Sequence, residues 1–292
     1  MEPRIAVVVI TRDRCEDLLR TLAHLRALPD RPEVIVVDNG SSDGTPERVA
    51  GAFGEVRVIA RERDLGAAGR TCGALATTAP YVAFCDDDSW WEAGALTAAA
   101  DLLDAHPDVG LVAGRVLLPG PRLEPTCEAM AASPLAGRPG LPGPPVRGFV
   151  ACGAVVRRAA YLAVGGFPPG WGVGGEEQPL AADLADRGWE LVYTDALVAH
   201  HHPSGRRDPG ARRAIAARND LWFAWLRLPA PAALRATAAE VRRAGADPRA
   251  WAGIACAARR AGWALRARNA VGPRVARELA TLASGPGRKY GA

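Results

Sequence analysis

The hydrophobic positions fall into two kinds of run that alternate. Ile5–Ile10 and Val34–Val37 are continuous and rich in β-branched residues, the pattern of strands buried on both faces in a parallel sheet. Val56-Arg57-Val58-Ile59 is a third such strand. Between the first two, Leu18, Leu19, Leu22, Leu25 and Leu28 recur at helical spacing and predict a helix over 16–28. After the second, Thr45-Pro46 predicts another helix, with Thr as N-cap and Pro in its first turn. The opening reads strand–helix–strand–helix–strand, the start of a doubly wound α/β domain.

The pattern continues with a strand at 81–85, a helix from about Glu92 to His106, and strands at 109–114 and 116–118. A strand resumes at 149–156, with short helices at 158–164 and 178–188 and strands at 189–193 and 196–199. From about Ala211 the chain reads as helical, first an aromatic-rich stretch around Arg218–Trp225, then Ala/Arg-rich helices at roughly 231–244, 247–268 and 272–283. Residues 119–147 hold too many Pro and Gly for regular structure, and predict a surface loop or a flap over a site. The division this suggests is an α/β domain over 1–228 and a basic helical extension over 229–292.

Charge sharpens that division. Residues 203–292 carry 18 Arg/Lys against 5 Asp/Glu, while the rest carries 18 against 27. A basic tail suits an anionic membrane surface, a dimer interface or a solvated helical face; without basic-aromatic interleaving, nucleic acid is not expected. No apolar run reaches 18 residues, and Met1–Arg4 leads into the first strand without a signal-peptide layout. The six cysteines form no C-x-x-C pair, which points to reduced thiols and a cytoplasmic setting.

The candidate chemistry lies at strand ends. The strand at 81–85 runs into Asp86-Asp87-Asp88, and three adjacent carboxylates want either a cation, for which oxygen ligands suit Mg2+ or Mn2+, or open water. Thr11-Arg12-Asp13-Arg14 follows the first strand and contains none of the glycines of a dinucleotide or P-loop motif. Asp38 opens the turn Asp38-Asn39-Gly40-Ser41-Ser42-Asp43-Gly44-Thr45, where it either bonds a ribose or base or caps the turn. Small residues over 66–74 permit close backbone approach by a ligand or tight packing, and Arg70 among them offers charge to a phosphate or to the aspartates. Later come Gly175-Glu176-Glu177 and His200-His201-His202.

Taken in order, these motifs resemble the family 2 glycosyltransferases, which have the GT-A fold, over about residues 4–228. The resemblance implies a Rossmann-like nucleotide-sugar-binding domain with a mixed central sheet. It implies inverting transfer of a sugar from a UDP-, dTDP- or GDP-sugar to an acceptor the sequence does not identify, whether glycan, lipid-linked or natural product. It places a divalent cation, Mn2+ or Mg2+, on Asp86 and Asp88, completed by His200 with His202 as the alternative; Asp87 is expected to point the other way along an extended backbone. Thr11, Arg12, Asp38, Arg70, Asp86 and Asp87 are the implied donor-binding residues. Glu177 takes the place of the catalytic base, with Glu176 the other choice, although relatives usually present Glu-Asp there and Pro179 replaces a further acidic residue. Arg70 stands in Gly69-Arg70-Thr71 where relatives often have Ala-Arg-Asn. Trp90, Trp91 and Trp171 are candidates to stack on a sugar. The implied location is cytoplasmic, at the inner face of a membrane if the basic helices lie on lipid. Two competing readings are a sugar-1-phosphate nucleotidyltransferase, which wants a Gly-rich loop after the first strand, and a non-catalytic nucleotide-sugar-binding scaffold.

Overall fold

A computed structural model describes residues 3–120, 122–203 and 209–284. The β-branched runs form the strands expected of them. β1 (Ile5–Thr11), β2 (Glu33–Asp38) and β3 (Arg57–Ala60) pair in parallel, and β4 (Tyr81–Asp86) joins the other side of β1. The registers Thr11↔Asp38 and Ile10↔Asp86 bring the carboxyl ends of β1, β2 and β4 level. That edge is where an open α/β sheet binds ligands. α1 (Cys15–Arg26) buries Leu18, Leu22 and Leu25 against the sheet. α2 (Thr45–Ala52) begins one residue before the sequence suggests: Gly44 (φ 77°) precedes it, and Asp43 accepts from the Thr45 N–H at 3.2 Å.

Among the described residues the strands form one mixed nine-stranded sheet, ordered β3-β2-β1-β4-β8-β6-β9-β5 with β7 beside β6. β6 (Val109–Leu118) is one strand with an irregularity between Ala113 and Arg115, where the sequence suggested two. β9 (Glu190–His201) likewise joins two expected strands, runs parallel to β6, and carries β5 (Ser89–Trp91) at the sheet edge. The strand expected from 149 begins only at Ala154; a 3-10 turn over Ala151–Gly153 leads into β8 (Ala154–Arg157), antiparallel to β4 and β6.

Residues 119–147 are a correction to the expected irregular flap. They contain β7 (Arg122–Leu123) and α5 (Pro125–Ala131), which starts on Pro125, is capped by Glu124 accepting from the Thr126 N–H at 2.7 Å, and buries Cys127 and Met130. The Pro-rich end is stapled to β9, with Val146 N–H donating to Leu191 O at 2.9 Å and Tyr193 N–H to Pro144 O at 3.0 Å. Proline placed at a helix start and where only its carbonyl is used, as an acceptor, is compatible with order.

The remaining helices are α3 (Gly69–Leu75), α4 (Ala95–Ala105), α6 (Arg158–Ala163), α7 (Glu177–Asp186), α8 (Pro209–Arg227), α9 (Ala230–Ala244), α10 (Pro248–Arg259), α11 (Ala261–Arg266) and α12 (Pro273–Ser284). The helix expected over 247–268 divides at Arg260. α9, α10 and α11 pack on α8, while α12 returns to α7, where Arg274 donates to Ala185 O at 2.6 Å. Buried Arg147 reaches Glu278 of α12 at 2.7 Å, so this helical region is fastened to the α/β body. Among the described residues no helix is long and apolar enough to cross a membrane.

Candidate active site

The backbone stops being extended at Asp86. Ser89 Oγ accepts from the Asp86 N–H at 2.8 Å, Thr21 Oγ1 donates to Asp87 O at 2.8 Å, and His202 N–H donates to Asp88 O at 2.8 Å. In the resulting turn Asp87 does not point away from its neighbours, as an extended chain would require. Thr11 Oγ1 donates to Asp87 at 3.0 Å, and one guanidinium nitrogen of Arg14 donates to both Asp87 (3.0 Å) and Asp88 (3.2 Å). Desolvation, with Asp88 and Asp86 adding to it against Arg14, pushes the Asp87 carboxyl up to about 7.

The histidines divide by strand parity, and the parity is the reverse of the expected one. β9 turns Leu197, Ala199 and His201 inward, and His201 Nε2 lies 3.2 Å from Asp88 Oδ1. His200 and His202 share the opposite face. His200 pairs with Glu92 at 3.3 Å, and both pack on Trp90, which also stacks on His24 at 4.0 Å between ring centroids. Neither belongs to the set of ligand atoms that includes Asp86, and His202 meets the aspartate turn through its backbone N–H. The inward face also brings Cys152 into the site: Asp86, Cys152 and His201 each offer one ligand atom, all within 4.8 Å of one another.

Arg70 joins this cluster to the glutamates. It is fully buried, donates to Asp86, and lies 3.6 Å from Glu176 with its guanidinium over the Phe167 ring. Its Nε and Nη1 have no hydrogen-bond partner among the described residues. Burial pushes both Glu176 and Glu177 above the usual carboxylate range; Arg70 opposes this at Glu176, and the Glu176 charge reinforces it at Glu177. Glu176 accepts from the Gly174 N–H, and Asn219 of α8 donates to Gly174 O at 2.6 Å and Trp171 O at 3.3 Å, fixing the loop before the glutamates. That loop lies against Gly66, where a Cβ would meet Gly172 Cα at 2.7 Å; Ala67 N–H donates to Gly172 O at 3.1 Å.

These groups face one cleft of about 570 Å³, walled by Thr11, Arg14, the three aspartates, Arg70, Cys152, both glutamates and His201. A volume of that size suits a nucleotide-sized ligand. Arg12 reaches its rim, paired with Asp64 at 2.8 Å. Asp38 does not line it: its carboxylate is taken by the N–H (3.0 Å) and hydroxyl of Ser41, and Asn39 lines the cleft instead. The three tryptophans are also away from it. Trp91 and Trp171 are core residues, the latter edge-on to Trp222, and Trp90 belongs to the histidine stack.

Sequence reasoning passed over Arg14, His201, Cys152 and Asn219. Arg14 was visible in the loop after β1, close behind Thr11 and Arg12. His201 follows from parity once Leu197 and Ala199 are taken as the buried face, but Val198 is equally apolar. Cys152 and Asn219 have no local signal, because tertiary packing alone brings them here.

A family model described as glycosyl transferase family 2 matches residues 6–163. The N-acetylglucosaminyl-diphospho-decaprenol L-rhamnosyltransferase of Mycobacterium tuberculosis is 28% identical over 247 residues, covering 72% of this chain and 80% of its own. Among solved structures, a mannosyltransferase from Pyrobaculum calidifontis in complex with GDP-Man and Mn2+ superposes with a TM-score of 0.58 at 23% identity, covering 98% of this chain and 76% of that one. S. aureus TarS in complex with UDP-GlcNAc superposes at 0.54 with 16% identity, covering 76% and 67%. These two likenesses establish a shared GT-A fold. With the family match spanning more than half of its length, the chain belongs to glycosyl transferase family 2 and is a glycosyltransferase.

Proposed function

We propose that the chain transfers a sugar, with inversion, from a nucleoside-diphosphate donor to a lipid-linked acceptor, assisted by a divalent cation. The observation that carries this reading is that the aspartate turn and the glutamate pair line one cleft, with buried Arg70 between them. The Mycobacterium tuberculosis relative is named for a decaprenol-linked acceptor, and the Pyrobaculum calidifontis neighbour was solved with a nucleotide sugar and Mn2+.

The donor atoms suit a cation: Asp86 and His201 lie in a three-residue set within 4.8 Å, and Asp88 touches the His201 ring at 3.2 Å. Asp86, Asp88 and His201 are therefore the proposed holders, with His201 in place of His200 and His202. A cation bound there supplies Lewis-acid stabilisation for the charge of the departing diphosphate. Arg70 has two buried nitrogens that make no hydrogen bond among the described residues and faces the same cleft, which suits it to orient a diphosphate oxygen. Thr11, Arg12 and Asn39 line the nucleoside side, and Asp38 supports that side through Ser41. Glu176 is held by Gly174 and Arg70, leaving Glu177 to take the proton of the acceptor hydroxyl as it attacks opposite the leaving group.

The acceptor side favours lipid. Between Asp247 and Glu278 the chain has seven arginines and no acidic residue, and exposed Trp251, Trp263 and Leu265 stand among them on α10 and α11. Such a surface fits an anionic membrane face. The test is incubation with UDP-, dTDP- and GDP-sugars, a polyprenyl-diphosphate-linked sugar and Mn2+ or Mg2+, with products read by mass spectrometry and anomeric configuration by NMR. Transfer with inversion that stops with EDTA is expected. Hydrolysis without transfer, or full activity in EDTA, would count against the acceptor or the cation respectively.

A further inference from the structure

We propose that Cys152 is a sulfur ligand of the cation site, so that the centre accepts borderline metals such as Zn2+ or Co2+ through carboxylate, imidazole and thiolate together. The inference rests on the cation-assisted reading above and gives it a ligand that oxygen-only chemistry lacks.

Two observations support it. The Cys152 sulfur and the ligand atoms of Asp86 and His201 lie within 4.8 Å of one another. Tetrahedral bonds of about 2.0–2.3 Å place ligand atoms roughly 3.5 Å apart, a distance that small side-chain rotations reach. The position is also rigid. Cys152 sits in the 3-10 turn ahead of β8, and the next residue, Gly153, is so close to β6 that a Cβ there would meet Val116 Cγ2 at 2.4 Å. The sheet thus fixes the thiol in the cleft wall.

On ligation the S–H proton leaves to solvent as the sulfur–metal bond forms, since a coordinating thiol is deprotonated. Arg14 and Arg70, already paired with the aspartates, offset the extra negative charge. A thiolate moves preference from Mg2+ and Mn2+ toward softer ions.

The test uses the full chain, freed of metal and titrated with Co2+. Ligand-field bands in the visible report binding, and an intense charge-transfer band in the near ultraviolet reports sulfur. Both are expected in the native protein, only the first in Cys152→Ser, and both in Cys256→Ser. Zn2+ affinity is expected to fall roughly tenfold or more in Cys152→Ser, with Mg2+ affinity unchanged. Ligand-field bands without charge transfer in the native protein would overturn the sulfur ligand and leave the cation reading standing; no Co2+ binding at all would overturn both. Should Cys152→Ser fail to fold, X-ray absorption of the native cobalt protein decides: a sulfur shell at about 2.3 Å supports the proposal, and a shell of light atoms alone overturns it.

Discussion

At the residue scale, the glutamate pair and Asp87 together set how the site responds to pH. Desolvation holds Glu176 and Glu177 above the ordinary carboxylate range. Each becomes a carboxylate only as pH rises through its raised value, so the base form appears later than it would in water. kcat/KM is expected to climb across the neutral range, with its rising limb displaced upward from pH 4–5; a limb at the ordinary carboxylate value would remove Glu177 from the role of base. The same shift acts on folding. A raised folded-state pKa contributes stability below the unfolded value, and that contribution is lost as pH rises through the folded one. Glu177→Gln is expected to lower kcat by about 10²–10⁴-fold with little change in donor Kd; equal losses in both would assign it to binding. Arg70 is a different case. Arg70→Met leaves Glu176 and Asp86 without their buried cation, at a cost of about 3–5 kcal/mol in denaturant unfolding; a change below about 1 kcal/mol, the range of exposed pairs, would show that the site does not depend on this pairing.

At the element scale, close backbone contacts decide what the site tolerates. Gly66→Ala forces a Cβ to within 2.7 Å of Gly172 Cα and also meets φ +56°. A loss of about 1–3 kcal/mol together with most of the activity is expected, because the displaced loop carries Glu176 and Glu177. Gly51→Ala, in α2 with open space around it, is the control, expected to be neutral or stabilising by up to about 1 kcal/mol; similar losses in both would deny the contact its special role. Elements also set what could be read beforehand. β1, β2 and β4 were legible because strands buried on both faces announce themselves as apolar runs, and their polar ends marked the cleft. The parity of β9 was not, since Val198 and Ala199 are both apolar and parity cannot be assigned without its partner β5. The helix α5 was hidden by its flanking prolines and glycines, whose density outweighed the short Pro125–Ala131 pattern. Asp38 suits either a ligand or a turn cap in the sequence, and the structure shows it accepting from Ser41 of its own turn.

At the scale of the whole molecule, the uneven charge distribution acts through α10 and α11. Exposed Arg259 and Leu265 belong to the surface proposed to meet lipid. The protein is expected to float with vesicles containing phosphatidylglycerol, less so at high salt, and Leu265→Ser or Arg259→Ser to weaken flotation without altering turnover on a short-chain soluble acceptor. Binding of equal strength to neutral vesicles would remove the electrostatic part of that surface. β9 has a further consequence, one of time. His201 lies 115 positions after Asp86, and it is delivered by a strand that pairs in parallel with β6. Contacts so distant along the chain form late, after the loop-closure entropy between them has been met. During refolding or synthesis the first half of the sheet can be in place while the aspartate turn still lacks its imidazole, so the cation site proposed on His201 would be completed by the slowest docking event rather than by the first collapse.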